Sequence, residues 1–194
     1  DGIGTVATHA FQVWLKPDER ALGGAHPGTT VSAFAKPFDT WASMSHLIAR
    51  EEWDTAERPA TLGYFCSTLP TAVLTGNGDA TSHTRHQAVD FLERYGRYFW
   101  PNAMDPHTKA FRWDLLCADA DVAGPERFAT QFWTANTDPS DRYVQSLPGT
   151  DAFRMRPDAS GYRNMFLAGD WTDCGINAGC IEAAVVSGLQ AANG

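Results

Sequence analysis

Apolar and polar residues alternate through Thr8–Leu15 (THAFQVWL), which sets Phe11, Val13 and Leu15 on one face at a period of two and predicts a β-strand. Pro17–Gly28 carries Pro, Asp and Gly and reads as a loop. Thr29–Ala35 (TTVSAFA) predicts a second strand, ended by Pro37. Over Asp39–Ile48 (DTWASMSHLI) the spacing of Trp41, Met44 and Leu47 or Ile48 predicts a short helix, capped by Asp39 or Thr40. Residues 50–59 are charged and end in Pro59, so a loop is expected, and Thr61–Thr68 (TLGYFCST) has the composition of a strand. The clearest long helix is Asp79–Trp100, where Ala88, Phe91, Leu92, Tyr95 and Phe99 recur every three or four residues. Asp79 or Thr81 would cap it, and Pro101 stops it. Phe111–Cys117 and Phe128–Ala135 predict two more strands, and Asp138–Gly149 is turn-rich. Met165–Ala168 predicts a short apolar strand and Ala178–Ala192 a helix of small residues.

Strands and helices do not alternate regularly as in βαβ units, so the expected class is α+β with a mixed or antiparallel sheet. The 194 residues suffice for one good core, or for one domain plus a piece of another. Hydrophobic residues make up 43% of the chain. No apolar run approaches the roughly 20 residues of a membrane-spanning helix, so a soluble globular protein without a transmembrane segment is expected. A net charge of −8 without a basic cluster argues against nucleic acid as a partner. Cys66, Cys117, Cys174 and Cys180 lack the spacing of a disulfide framework; reduced thiols and a cytoplasmic location are expected. The seven Trp and the other rings read first as core, although such residues also line apolar pockets. The chain opens Asp-Gly-Ile-Gly, without an initiator Met or signal peptide, so a fragment, a processed chain or a trimmed one is expected.

One segment carries chemistry. In NMFLAGDWTDCGINAGCIEAAVVSG (Asn164–Gly188) an apolar strand runs into Gly169-Asp170, a Gly-containing loop follows, and a helix opens near Ala178–Gly179. Ala178, Gly179, Ala183, Ala184 and Gly188 let that helix approach a backbone or a flat ligand. Its first turn presents N–H groups and a positive dipole end suited to an electron-rich group. Asp170 can accept hydrogen bonds from sugar-like hydroxyls, and Glu182 in the first turn fits the dipole. A strand–turn–helix that merely packs tightly accounts for these features equally well.

The segment resembles the C-terminal signature of the FAD-dependent flavoprotein superfamily that holds amine oxidases, phytoene desaturases and hydroxysqualene-dehydroxylase-like enzymes. There a strand, a GD or GTE turn, a loop and an xEAAVxSG-type helix form the last FAD-contacting element. Asn136–Arg156 and the stretch from Pro37 (PFDTWASMSHLIAREEW) are similar to the desaturase-like branch. The resemblance implies a substrate domain over 1–150 and, over 151–194, the C-terminal strand–helix of an incomplete, Rossmann-like FAD-binding domain. It implies FAD as cofactor and Gly169, Asp170, Trp171, Asn177, Ala178, Gly179, Cys180 and Ile181 as its contacts. Asp170 would bind the ribityl or pyrophosphate region, and the amides of Gly179, Cys180 and Ile181 would face the pyrimidine edge. In monoamine oxidases the position matching Cys180 carries one of two rings that sandwich the amine; a thiol here points to an apolar, isoprenoid-like substrate. No G-x-G-x-x-G occurs. The N-terminal FAD-binding half is therefore expected elsewhere in the same gene or on a second chain, with FAD lost or only partly held without it.

No catalytic residue is assigned. Lys16, Lys36 and Lys109 cannot be matched to the lysine that some family members hold near the flavin. His83 and His86 read as a solvated helix face, and no metal site is expected. Ser32, Ser43, Ser45 and His46 form no G-x-S-x-G elbow. Trp14, Phe34, Tyr64, Trp113 and Trp133 each read as core, while the resemblance implies that some of these rings wall an apolar tunnel. Two functions stand: part of a FAD-dependent oxidoreductase, or a catalytically inactive stand-alone ligand-binding or structural domain derived from one.

Overall fold

The strands in chain order are β1 (Thr5–Val6), β2 (Thr8–Leu15), β3 (Thr30–Val31), β4 (Thr40–Ser43), β5 (Thr61–Thr68), β6 (Phe132–Asn136) and β7 (Tyr143–Val144). The α-helices are α1 (Thr71–Thr75), α2 (Ala80–Phe99) and α3 (Ile181–Asn193). This computed structural model describes residues 2–24, 26–54, 57–76 and 78–194; residue 25 and residues 55–56, parts of two expected loops, and the first residue lie outside them. The architecture is α+β with antiparallel sheets. The chain divides into two compact units, one of Thr8–Thr137 and one of Asp1–Ala7 with Asp138–Gly194.

In the unit Thr8–Thr137 the sheet order is β3-β4-β5-β2-β6, antiparallel throughout. Register places Phe11 opposite Phe65 on one side and Trp133 on the other. The rings of Phe11 and Phe65 stack at 4.5 Å, and Phe38 meets Phe11 edge-on at 4.7 Å. Helix α2 lays Ala88, Phe91, Leu92 and Phe99 into this core, as its period requires. Asp79 caps it, accepting from the Thr81 N–H at 2.9 Å. Gly63 in β5 has no side chain because the buried Trp100 indole fills that space.

Four expected elements of this unit differ. The strand expected over Thr29–Ala35 is only Thr30–Val31. Asp39–Ile48 is not a helix: Thr40–Ser43 pairs with β5, Trp41 facing Phe65, and Ser45–Arg50 makes a 3-10 turn. Helical spacing of the apolar residues there is overridden by sheet pairing, which buries Trp41 and Ser43 on alternate positions. Phe111–Cys117 makes only single bridges, Leu15 to Leu116 and Met104 to Phe111. It turns through a 3-10 segment because Glu93 of α2 accepts from both the Phe111 N–H at 2.9 Å and Trp113 Nε1 at 2.7 Å. Strand β6 starts at Phe132, after a 3-10 run over Gly124–Thr130.

In the other unit β1 pairs with β7, and α3 is its only α-helix among the described residues. Met165–Ala168, expected as a strand, forms none; Leu167 donates to the Pro157 carbonyl at 2.9 Å. A strand exists only where a neighbour completes its hydrogen bonds, and none among the described residues does so here. No helix among the described residues is long and apolar enough to cross a membrane.

Candidate functional site

Helix α3 begins at Ile181, two to three residues later than its composition suggests. Asn177 is left-handed, at φ 53°, and Cys180 is extended, at φ −153° and ψ 161°; both conformations keep the chain out of the helix until Ile181. Cys180 makes no side-chain cap, and the first bond back to its carbonyl comes from Ala184 at 3.2 Å. The amides of Ile181, Glu182 and Ala183 therefore have no acceptor within the helix.

Two loops lead to this end. The first is the Gly169–Asp170 turn. Gly169 has φ 137°, and a Cβ there would strike the Trp171 indole, so only glycine fits. Its N–H donates to Ser187 Oγ of α3 at 2.6 Å, and Ser187 donates on to the Ala184 carbonyl at 3.0 Å. The Asp170 carbonyl accepts from Arg154 Nη1 at 2.9 Å. The second loop holds Asn177, whose carbonyl accepts from Ser146 Oγ at 2.6 Å and whose side-chain Oδ1 is buried without a partner.

The phenol of Tyr143 packs against the second loop. Its oxygen lies where a Cβ of Gly179 would be. Burial first, then the electrostatic influence of Asp170, pushes the phenol above its ordinary value. Gly169, Asp170, Asn177 and Cys180 are half-buried, whereas Trp171, Ala178, Gly179 and Ile181 are exposed. Tyr143, Ser146, Arg154 and Ser187 carry the geometry; they stand in stretches that carry the resemblance, but no spacing assigns them a role, because their roles arise from contacts distant along the chain. Only Tyr143 and Ser187 stand next to small-residue positions, Gly179 and the α3 alanines, that hint at close packing.

Residues 98–194 match the family model of flavin-containing amine oxidoreductases. The chain belongs to that family. A comparison with curated proteins found no match. The matched segment includes β7, the Gly169–Asp170 turn, the Asn177 loop and the whole of α3.

The residues suit a flavin dinucleotide. The amides of the exposed Ile181 and Glu182 at the helix N-terminus offer donors to an electron-rich edge. The unpartnered Asn177 Oδ1 and the Asp170 carboxylate offer acceptors to hydroxyl or ring N–H groups. A buried acceptor without a donor is costly, and a ligand donor would satisfy it. His83 and His86 lie elsewhere, on α2, where His86 Nδ1 pairs with the Ser82 carbonyl at 2.8 Å.

Proposed function

We propose that this chain supplies the substrate domain and the closing part of the flavin site of a FAD-dependent oxidoreductase that removes hydride equivalents from an apolar, isoprenoid-like substrate. The observation that carries the reading lies inside the family-matched segment: the open amides of Ile181 and Glu182 stand beside a tethered Asp170 turn and the orphaned Asn177 Oδ1. Asp170 takes hydrogen bonds from the ribityl or pyrophosphate region, with Gly169 and Trp171 shaping its turn. Asn177, Ala178, Gly179, Cys180 and Ile181 form the edge toward the pyrimidine ring. The flavin, when bound, supplies the hydride-accepting chemistry. The chain supplies position, and α3 adds a positive field where negative charge grows on reduction.

In this reading residues 1–150 form the substrate domain and 151–194 the C-terminal segment of a Rossmann-like FAD-binding domain. An N-terminal half with a G-x-G-x-x-G turn, in the same gene or on a second chain, completes it. Two features support that partner. Met165–Ala168 has a strand's composition without a sheet to join, and α3 leaves Ile181, Val185 and Leu189 exposed at 80%, 55% and 60%. An apolar stripe at i, i+4 and i+8 is a face built to be covered.

The test is to purify the product of the complete gene. It is expected to be yellow and to carry FAD; a colourless protein that takes up no added FAD refutes the proposal. One observation favours the stand-alone, inactive alternative: the unit Thr8–Thr137 holds a closed aromatic core of its own. That reading expects a folded, monomeric, flavin-free chain and no in-frame G-x-G-x-x-G upstream.

A further inference from the structure

Residues 145–180 contain no α-helix and no strand, so a hydrogen-bond ladder does not fix the distance between the Gly169–Asp170 turn and the Asn177 loop. One side chain links the two, directly to the first and through Ser146 to the second. Arg154 has a side chain only 1% exposed, and its two terminal nitrogens point to different loops. Nη1 donates to the Asp170 carbonyl at 2.9 Å. Nη2 donates to Ser146 Oγ at 2.8 Å, and Ser146 Oγ donates onward to the Asn177 carbonyl at 2.6 Å. The hydroxyl thus accepts once and donates once, which satisfies it in one orientation.

Burying a guanidinium is expensive unless its charge is paired. Here the pairing is weak: Asp151 Oδ1 lies 3.8 Å from Nε, beyond hydrogen-bonding range, on an exposed carboxylate, and Nε has no partner. A salt bridge therefore does not explain the position. What the position does provide is a rigid fork between the Asp170 carbonyl and the Ser146 hydroxyl, a geometry that a lysine cannot reproduce.

We propose that Arg154, acting through Ser146, is the positioning residue that couples the Asp170 turn to the Asn177 loop and so sets the spacing of the flavin contacts. This rests on the flavin reading given above. Arg154 touches neither substrate nor flavin in this role; it holds the two loops that do.

Amide hydrogen exchange on the purified chain tests the coupling without any flavin. Thr172 and Asp173, whose N–H groups bond to the Gly169 and Met155 carbonyls, report the turn. Cys180, half-buried at the end of the Asn177 loop, reports the loop through its rate of alkylation by iodoacetamide, read by peptide mass spectrometry. Ser146→Ala is expected to speed alkylation of Cys180 about tenfold, a loss of one hydrogen bond's worth, and to leave exchange at Thr172 and Asp173 unchanged. Arg154→Lys is expected to speed all three. Alkylation of Cys180 that is unmoved in both variants overturns the coupling, and Ser146→Ala, an exposed change, keeps this decisive should the arginine variant fail to fold. In the flavin-loaded product of the whole gene, Arg154→Lys is expected to shift the flavin absorption bands and reduction potential while the protein stays folded. Faster exchange with an unchanged spectrum and potential overturns the positioning role. A wild-type protein that binds no flavin overturns the flavin reading and, with it, that role; the exchange result then speaks for the clamp alone.

Discussion

The hydroxyl of Tyr143 occupies the space that a side chain at position 179 would need. Gly179 is not one of the glycines with positive φ, so its backbone would accept alanine; the phenol is what forbids one. Gly179→Ala is expected to destabilise the Asn177 loop by about 1–3 kcal/mol through overpacking. Removing the obstacle should reverse the effect, so Tyr143→Ala with Gly179→Ala is expected to lose less than the two single variants combined. Thermal and urea melts of the four chains in a double-mutant cycle measure this; additive losses would show that the two residues do not meet.

In the other unit, His9 makes stability depend on pH. Its ring is fully buried, stacks on Phe38 at 4.4 Å, and keeps one nitrogen on the Pro37 carbonyl at 3.0 Å while Nδ1 has no partner. Burial lowers its pKa from 6.5 to about 4, so the folded chain holds the neutral ring. Between these values the unfolded chain binds the extra proton, and stability rises with pH. The contribution is fully present above pH 6.5 and is lost as pH falls through about 4. Urea titrations across this window are expected to lose about 3 kcal/mol in wild type. In His9→Phe, which keeps the stacking without the titration, this part of the slope should vanish.

Gly63 gives a sharper packing test. A Cβ there would lie 2.6 Å from the Trp100 ring, which is completely buried. Gly63→Ala is expected to cost about 1–3 kcal/mol, since neither the central strand nor the indole has room to move. The reading is the urea midpoint together with the near-ultraviolet circular dichroism of the tryptophans; an unchanged midpoint would mean that the core yields.

The elements that were legible in the sequence are those whose evidence is local. The strands Thr8–Leu15 and Thr61–Thr68 have the bounds that their composition implies, and α2 starts on its Asp79 cap. Asp39–Ile48 misleads because Trp41, Met44 and Leu47 satisfy a helical period, whereas the pairing of Trp41 with Phe65 is a long-range fact. Met165–Ala168 has a strand's composition, but composition does not bring a neighbouring strand. The candidate site divides in the same way. A GD turn between an apolar run and a small-residue helix is visible in one segment. The residues that hold it, Tyr143, Ser146 and Arg154, stand outside Asn164–Gly188, and no spacing rule links them to Asp170 or Asn177.

Ser187 shows how tightly α3 and the turn depend on one hydroxyl. It is completely buried, accepts from the Gly169 N–H at 2.6 Å and donates to the Ala184 carbonyl at 3.0 Å. Ser187→Ala keeps the helix propensity, and the volume removed is one oxygen atom. What it leaves is the Gly169 donor without an acceptor, at a residue held at φ 137°. An unsatisfied donor costs about 1–3 kcal/mol, and at a loop it appears first as local opening. Exchange at Gly169 is therefore expected to rise at least tenfold in Ser187→Ala, with α2 amides unchanged as the internal control. Ser187→Thr restores the acceptor, and in the flavin-loaded product of the complete gene it is expected to hold FAD better than the alanine variant. Equal flavin affinity in the two would show that the Gly169–Asp170 turn finds its geometry without α3.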